Sequence, residues 1–231
     1  MDNKSFWDER YTQEPWLGSG AGSRGVAAHY KAETLRRLIA ANPVRSVLDV
    51  GCGDMCWLVA SGSYPGWMDG VAYTGLDISR VIVDKSAKAF PQCRFLHHDI
   101  TAVPVSDSAD LLICFDVLLH QVDRLPFDAA LANLLAGVRQ HALVSYPGEP
   151  AADPVIPVVE GFDESIERRF QGELQAARAD RAIPFGRTNC FGLLPDLVGT
   201  VRPDLRIRIV GRYRFQQVYE IATADSGWLL S

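Results

Sequence analysis

The chain has 231 residues, 48% of them hydrophobic and 22% charged, which suits one α/β domain with a full core and is short for two. A net charge of −5 argues against a broad basic surface for gripping nucleic acid, and five scattered cysteines argue against a disulfide framework and for a reduced, cytoplasmic protein. The polar start MDNKSFWDERY lacks the pattern of a secretory leader, and no apolar run approaches the roughly 20 residues that span a bilayer, so neither export nor membrane insertion is expected.

In chain order, residues 4–12 read as a short helix with Phe6, Trp7 and Tyr11 on its apolar side. The segment LGSGAGSRG at 17–25 holds four glycines and has the composition of a lid, from which Ser19, Ser23 and Arg24 could reach a ligand. A helix is predicted over 27–41, with Ala28, Leu35, Leu38 and Ile39 as its apolar positions. Strands at 46–50, 72–77, 94–98, 111–115 and 142–146 then alternate with helices at 55–61, 80–90 and 126–139. Strands separated by helix-length segments predict a mostly parallel sheet with helices on both faces.

The last third changes character. Residues 148–159 are proline- and alanine-rich and read as a loop, 162–179 as a polar helix, and 183–199 as a mixed stretch broken by Pro184, Gly186 and Pro195. Two strands, 205–210 and 213–222, flank Gly211 and are close enough to pair as an antiparallel hairpin. The expected layout is a single domain. Residues 1–43 form its N-terminal helices and lid, 44–147 its core, 148–200 a cap over the substrate and 201–231 the hairpin. In the cap, Phe162, Phe170, Phe185 and Phe191 could line the pocket, and Arg168, Arg169 and Arg187 could meet a phosphate or carboxylate.

Four segments carry chemistry. In VLDVGCGDM, residues 47–55, a buried strand runs into Gly51 and Gly53, which let the chain turn sharply and a ligand approach closely. Asp77 ends the second strand, where a carboxylate can accept from both hydroxyls of a ribose; a helix cap is the competing reading. Asp99 follows the third strand, placed to accept from an adenine amino group while Ile100 packs on the ring. His97 and His98 read as structural. In ADLLICFDVLLHQ, residues 109–121, Asp116 to Gln121 leave the fourth strand on the same edge, and His120 could reach a substrate.

This order of glycine bend, acid after strand two, acid after strand three and apolar strand four resembles the class I S-adenosylmethionine-dependent methyltransferases, over roughly residues 45–146. The resemblance implies a Rossmann-like α/β fold, with a seven-stranded, mostly parallel sheet and a C-terminal antiparallel hairpin. It implies S-adenosylmethionine as cofactor and S-adenosylhomocysteine as product. Asp49, Gly51 and Gly53 would line the methionine part, Asp77 and Ile78 the ribose, Asp99 and Ile100 the adenine, with Phe115, Tyr11 and Ser19 completing the site. The opening FWDERY…GSGAGSRG also looks like the start of bacterial methyltransferases that modify saccharides and other small molecules. One departure is Met55, which stands where the family's loop often has a third glycine; a bulky side chain there disfavours positive φ.

Methyl transfer needs an acceptor lone pair aligned with the S–CH3 bond, and a base only where the acceptor must lose a proton. His120 is the candidate base, because histidine titrates near neutrality. Tyr146, at the end of strand five, is a second candidate for shaping the acceptor pocket. The expected acceptor is an oxygen or nitrogen of a small molecule such as a sugar or natural-product intermediate. A protein acceptor and an inactive binding subunit stay as alternatives, and a homodimer stays open. A nicotinamide dehydrogenase is disfavoured, since Cys56 replaces the third glycine of its fingerprint and Asp77 lies 26 residues after Gly51. No metal is expected: Asp116 and His120 at i, i+4 are too few ligands.

Overall fold

The computed structural model describes residues 2–15, 18–60, 62, 66–121, 123–147, 190–213 and 216–229. Helices α1 (Asn3–Gln13) and α2 (Gly25–Ala41) lead into β1 (Ser46–Val50), α3 (Cys56–Ala60), β2 (Ala72–Asp77), α4 (Arg80–Ala89) and β3 (Arg94–His97). Then come β4 (Leu111–Cys114), α5 (Arg124–Ala136), β5 (His141–Pro147), α6 (Leu194–Val201), β6 (Leu205–Tyr213) and β7 (Gln216–Thr223). The strands form one seven-stranded sheet in the order β3-β2-β1-β4-β5-β7-β6. The first five run parallel, and β7 is antiparallel to both β5 and β6. This is the expected Rossmann-like sheet with its C-terminal hairpin.

The central strands are apolar throughout because both faces are covered. Along β4, Leu112 and Cys114 face the side where α5 supplies Phe127, Leu131, Leu134 and Leu135. Leu111 and Ile113 face the other, where α2 supplies Ala28, Leu35 and Leu38 and α3 supplies Trp57 and Leu58. Each such large side chain stabilises the fold by about 1.5–3 kcal/mol. Helix α4 starts where the Ser79 hydroxyl accepts from the Ile82 N–H. Helix α5 begins two residues before Pro126, which sits in the first turn, where a missing N–H breaks no helical bond. Pro195 likewise opens α6, inside a stretch that reads as mixed from sequence. Among the described residues, no helix is long and apolar enough to cross a membrane.

The hairpin departs from expectation at its turn. β6 continues through Gly211 to Tyr213, so the reversal does not fall at Gly211. Gly211 lies at a register irregularity after Ile209, and a Cβ there would overlap the Tyr30 hydroxyl of α2. The glycine therefore serves the close approach of a helix to a bulged strand, not a turn. The expected loop over 148–159 and cap helix over 162–179, with Phe162, Phe170, Arg168 and Arg169, lie outside the described residues, as do Phe185 and Arg187 of the mixed stretch.

Candidate functional site

Strand order reverses between β1 and β4, and there the carboxyl ends of the strands open a crevice. It holds a cleft of about 810 Å³, counting the space open to solvent at its mouth. Its floor is the bend after β1. Gly51 and Gly53 have φ of 79° and 56°, and added Cβ atoms would overlap Val117 and the Ser19 hydroxyl respectively. Met55 also adopts a left-handed conformation, φ 54°, with its side chain fully buried. Backbone strain of about 1–2 kcal/mol is thus offset by burial of similar size, and the loop keeps its shape without a third glycine.

Asp77, at the end of β2, lines the cleft beside Ile78. Its Oδ2 accepts from the Gly53 N–H and its Oδ1 from the Ser79 N–H, both at 2.9 Å. Each oxygen retains a lone pair for a ligand hydroxyl. Burial pushes this carboxyl up to about 6, against the pull of the two N–H groups. The capping role falls to Ser79, so Asp77 is free for the cleft. Asp49 is 2% exposed and takes a 2.6 Å hydrogen bond from the Tyr73 hydroxyl. Burial lifts it to about 7, although Tyr73 and the Lys31 charge lower it.

The end of β3 contributes His98, Ile100 and Thr101 to the lining. Asp99 is not part of it: its Oδ1 accepts from both the Thr101 N–H and the Thr101 hydroxyl, at 2.9 and 2.7 Å. The buried Nε2 of His98 has no hydrogen-bond partner among the described residues. A histidine read as structural thus brings a ligand-seeking atom to this end, and the aspartate beside it closes a local turn.

Beyond β4, Phe115, Asp116 and His120 line the cleft, and the Trp7 ring meets His120 edge-on at 5.4 Å. Asp116 has φ 61° and pairs with Lys31 at 2.9 Å, while its other oxygen accepts from Gln216. Burial alone would raise the Asp116 carboxyl, but the Lys31 ammonium and the Gln216 amide outweigh it and hold it below the usual range. Lys31, Gln216 and Trp57 are site residues that sequence reasoning missed. The legible signal was Lys31 itself, a charge on the helical stripe of Ala28, Leu35 and Leu38.

Tyr146 lies elsewhere. It is fully buried, its ring packs at a tilt against Phe127 with centroids 5.5 Å apart, and its hydroxyl accepts from the Phe191 N–H at 2.7 Å. The neighbour Ser145 is the β5 residue on the cleft side, donating to Gln216 and accepting from the Asp116 N–H. One step along a strand reverses the face, so Tyr146 does not shape the cleft. Phe191, expected in the substrate cap, instead packs on Phe127 at 4.9 Å.

The N-terminal segment roofs the cleft with Trp7, Tyr11 and Ser19. It is fastened through Asp54, which accepts from the Ser19 N–H, the Ser19 hydroxyl and the Arg24 guanidinium at 3.2, 2.9 and 3.1 Å. The Tyr11 hydroxyl meets Ser19 Oγ at 3.0 Å, and Lys85 donates to the Tyr11 carbonyl at 2.6 Å.

Residues 47–141 match a family model described as a methyltransferase domain. No curated protein matches the chain in sequence. Among solved structures, it is similar to magnesium protoporphyrin IX methyltransferase from Synechocystis PCC 6803, with bound S-adenosylhomocysteine, at 16% identity and a TM-score of 0.62 over 96% of this chain and 100% of that one. It is similar to a TehB-like SAM-dependent methyltransferase from Corynebacterium glutamicum at 16% identity and a TM-score of 0.52, covering 95% and 97% of the two chains. The N-methyltransferase NodS from Bradyrhizobium japonicum aligns at 10% identity and a TM-score of 0.54, over 87% and 89%. Residues 47–141 thus match the model of a methyltransferase domain, and the chain shares the Rossmann-like fold of these S-adenosylmethionine-dependent methyltransferases.

Proposed function

We propose that the cleft takes S-adenosylmethionine and that the chain transfers its methyl group to an oxygen or nitrogen of a small-molecule acceptor. The observation that carries this reading is Asp77. It is a buried carboxylate facing the cleft, bonded to the N–H of the very glycine that bends the chain toward it. Both hydroxyls of a ribose fit such an acceptor, and the left-handed bend at Gly51 and Gly53 lines the cleft beside it, where an amino-acid chain can lie. Ile78 and Ile100 supply apolar faces for the nucleoside, and His98 a polar atom for its edge.

The cofactor, when bound, supplies a methyl group on an already activated sulfonium leaving group. The residues of the chain orient the acceptor, exclude water and manage one proton. Orientation of this kind lowers a barrier by up to about 7–11 kcal/mol. Trp7, Tyr11 and Ser19 close over the cleft and keep solvent out. His120, at the β4 end, takes the acceptor proton where one must leave. A roof formed from the chain's own N-terminus favours a small acceptor over a protein segment, which would need an open groove. Calorimetry with S-adenosylhomocysteine tests the reading. Wild type binds it, and Asp77→Ala weakens binding about 10–100-fold through the loss of charge-assisted hydrogen bonds. Equal affinity in the two proteins would refute it.

A further inference from the structure

Lys31 falls on the buried stripe of α2, between Ala28 and Leu35. It is 1% exposed, yet it lines the cleft. An ammonium carries three N–H donors. One goes to Asp116 Oδ2. For the other two the described residues supply no hydrogen-bond acceptor; the rings of Trp57, Tyr213 and Phe115 stand 5.3, 5.7 and 5.8 Å from Nζ. Aromatic faces soften the cost of a buried cation without satisfying its donors. An unmatched buried donor is costly, and a buried ion pair is a weak source of stability compared with apolar packing. A leucine would complete the stripe at less cost.

Asp116 is held from several sides and so is fixed as the anchor of Lys31. Its N–H donates to Ser145, and its second carboxylate oxygen accepts from Gln216. Resting on the cofactor reading above, we infer that Lys31, anchored by Asp116, is a receptor for an anionic oxygen in the cleft, a carboxylate or similarly acidic oxygen carried by one of the two reactants. Hydrogen bonds from an ammonium favour the ionised form of such a group. Asp116 and Phe115 follow β4, across β1 from Asp77 and Ile100, so this receptor lies away from the nucleoside end. The anion there belongs either to the amino-acid end of the cofactor or to the acceptor. The chemistry that recognises it is the same.

The test uses the full chain and the charge-balanced double variant K31Q/D116N, which removes both members of the buried pair so that Asp116 is not left as an uncompensated carboxylate, with K31R as the variant that retains the charge. Melting curves establish that each is folded. Calorimetry compares S-adenosylhomocysteine with the same thioether lacking its carboxylate. A preference of tenfold or more for the carboxylate form, kept by K31R and lost in K31Q/D116N, assigns the anion to the cofactor. The alternative arm uses benzoate on protein saturated with S-adenosylhomocysteine. A rise in melting temperature for wild type and K31R, absent in K31Q/D116N, assigns it to the acceptor. If K31Q/D116N matches wild type in both arms, Lys31 is not an anion receptor. A wild-type chain that binds neither thioether overturns the cofactor reading itself, and this inference with it.

Discussion

Asp49 gives the most exposing test of the site's electrostatics. Asp49→Asn keeps an oxygen to accept from Tyr73 and removes a buried charge. The carboxyl is raised from an ordinary 3.8 to about 7, chiefly by burial. A folded-state value above the unfolded one means that the folded chain holds the proton longer. Stability from this group is therefore full below pH 4 and is lost as pH climbs through about 7. At 1.36 kcal/mol per pH unit, ionising Asp49 costs the fold on the order of 4 kcal/mol at pH 8 as a ceiling, and on the order of 1–2 kcal/mol at pH 5. Asp49→Asn avoids both costs. Its stability advantage over wild type should therefore grow by roughly 2–3 kcal/mol between pH 5 and pH 8. For a chain of this size that corresponds to about 5–10 °C in Tm. Denaturant titrations of both proteins without ligand, at the two pH values, measure it directly. An advantage that is the same at both pH values, or that shrinks at pH 8, would refute the claim that Asp49 sits in the fold as a costly anion.

Gly51→Ala should destabilise the fold by about 1–3 kcal/mol and abolish measurable S-adenosylhomocysteine binding, because φ 79° and overlap with Val117 oppose a Cβ. Calorimetry and a thermal melt read both effects, and retained affinity would show that the bend is not part of the site. His120→Ala should cut turnover about 10²-fold while leaving cofactor affinity near wild type; full activity would remove His120 from proton transfer. Tyr146→Phe should lose about 1 kcal/mol of stability with the Phe191 bond and keep the wild-type KM for cofactor. A large rise in KM would return Tyr146 to the cleft. Asp54→Ala should release residues 18–24, seen as faster proteolysis there, and equal cleavage rates would mean that the clasp contributes nothing.

Much of the sheet is readable from local pattern. The four apolar residues of β4 and the glycine bend after β1 are signals carried within a few residues, and the structure places both as expected. What escapes is set by packing at long range. Gly211 reads as a turn because nothing in its neighbourhood reveals Tyr30 arriving from α2. Lys31 stands out in sequence only as a charge on an apolar helical stripe, and its partners Asp116 and Trp57 come from distant parts of the chain. Tyr146 shows a subtler limit: strand and end are right, but the face depends on a one-residue register that periodicity in a fully buried strand does not reveal. Asp99 differs again, since the Asp-Ile-Thr triplet offers its own local turn, and that signal lay in plain view.

Asp54 stands directly after Gly53, so the anchor of the roof and the floor of the cleft are adjacent links of one backbone. Asp54 fastens Ser19 and Arg24, and the N–H of the preceding residue, Gly53, donates to Asp77. The clasp on the N-terminal segment and the carboxylate proposed to hold a ribose are thereby joined through two consecutive residues. On the proposed function, loosening the Asp54 clasp would therefore alter nucleoside affinity as well as access to the cleft, without touching any reacting atom.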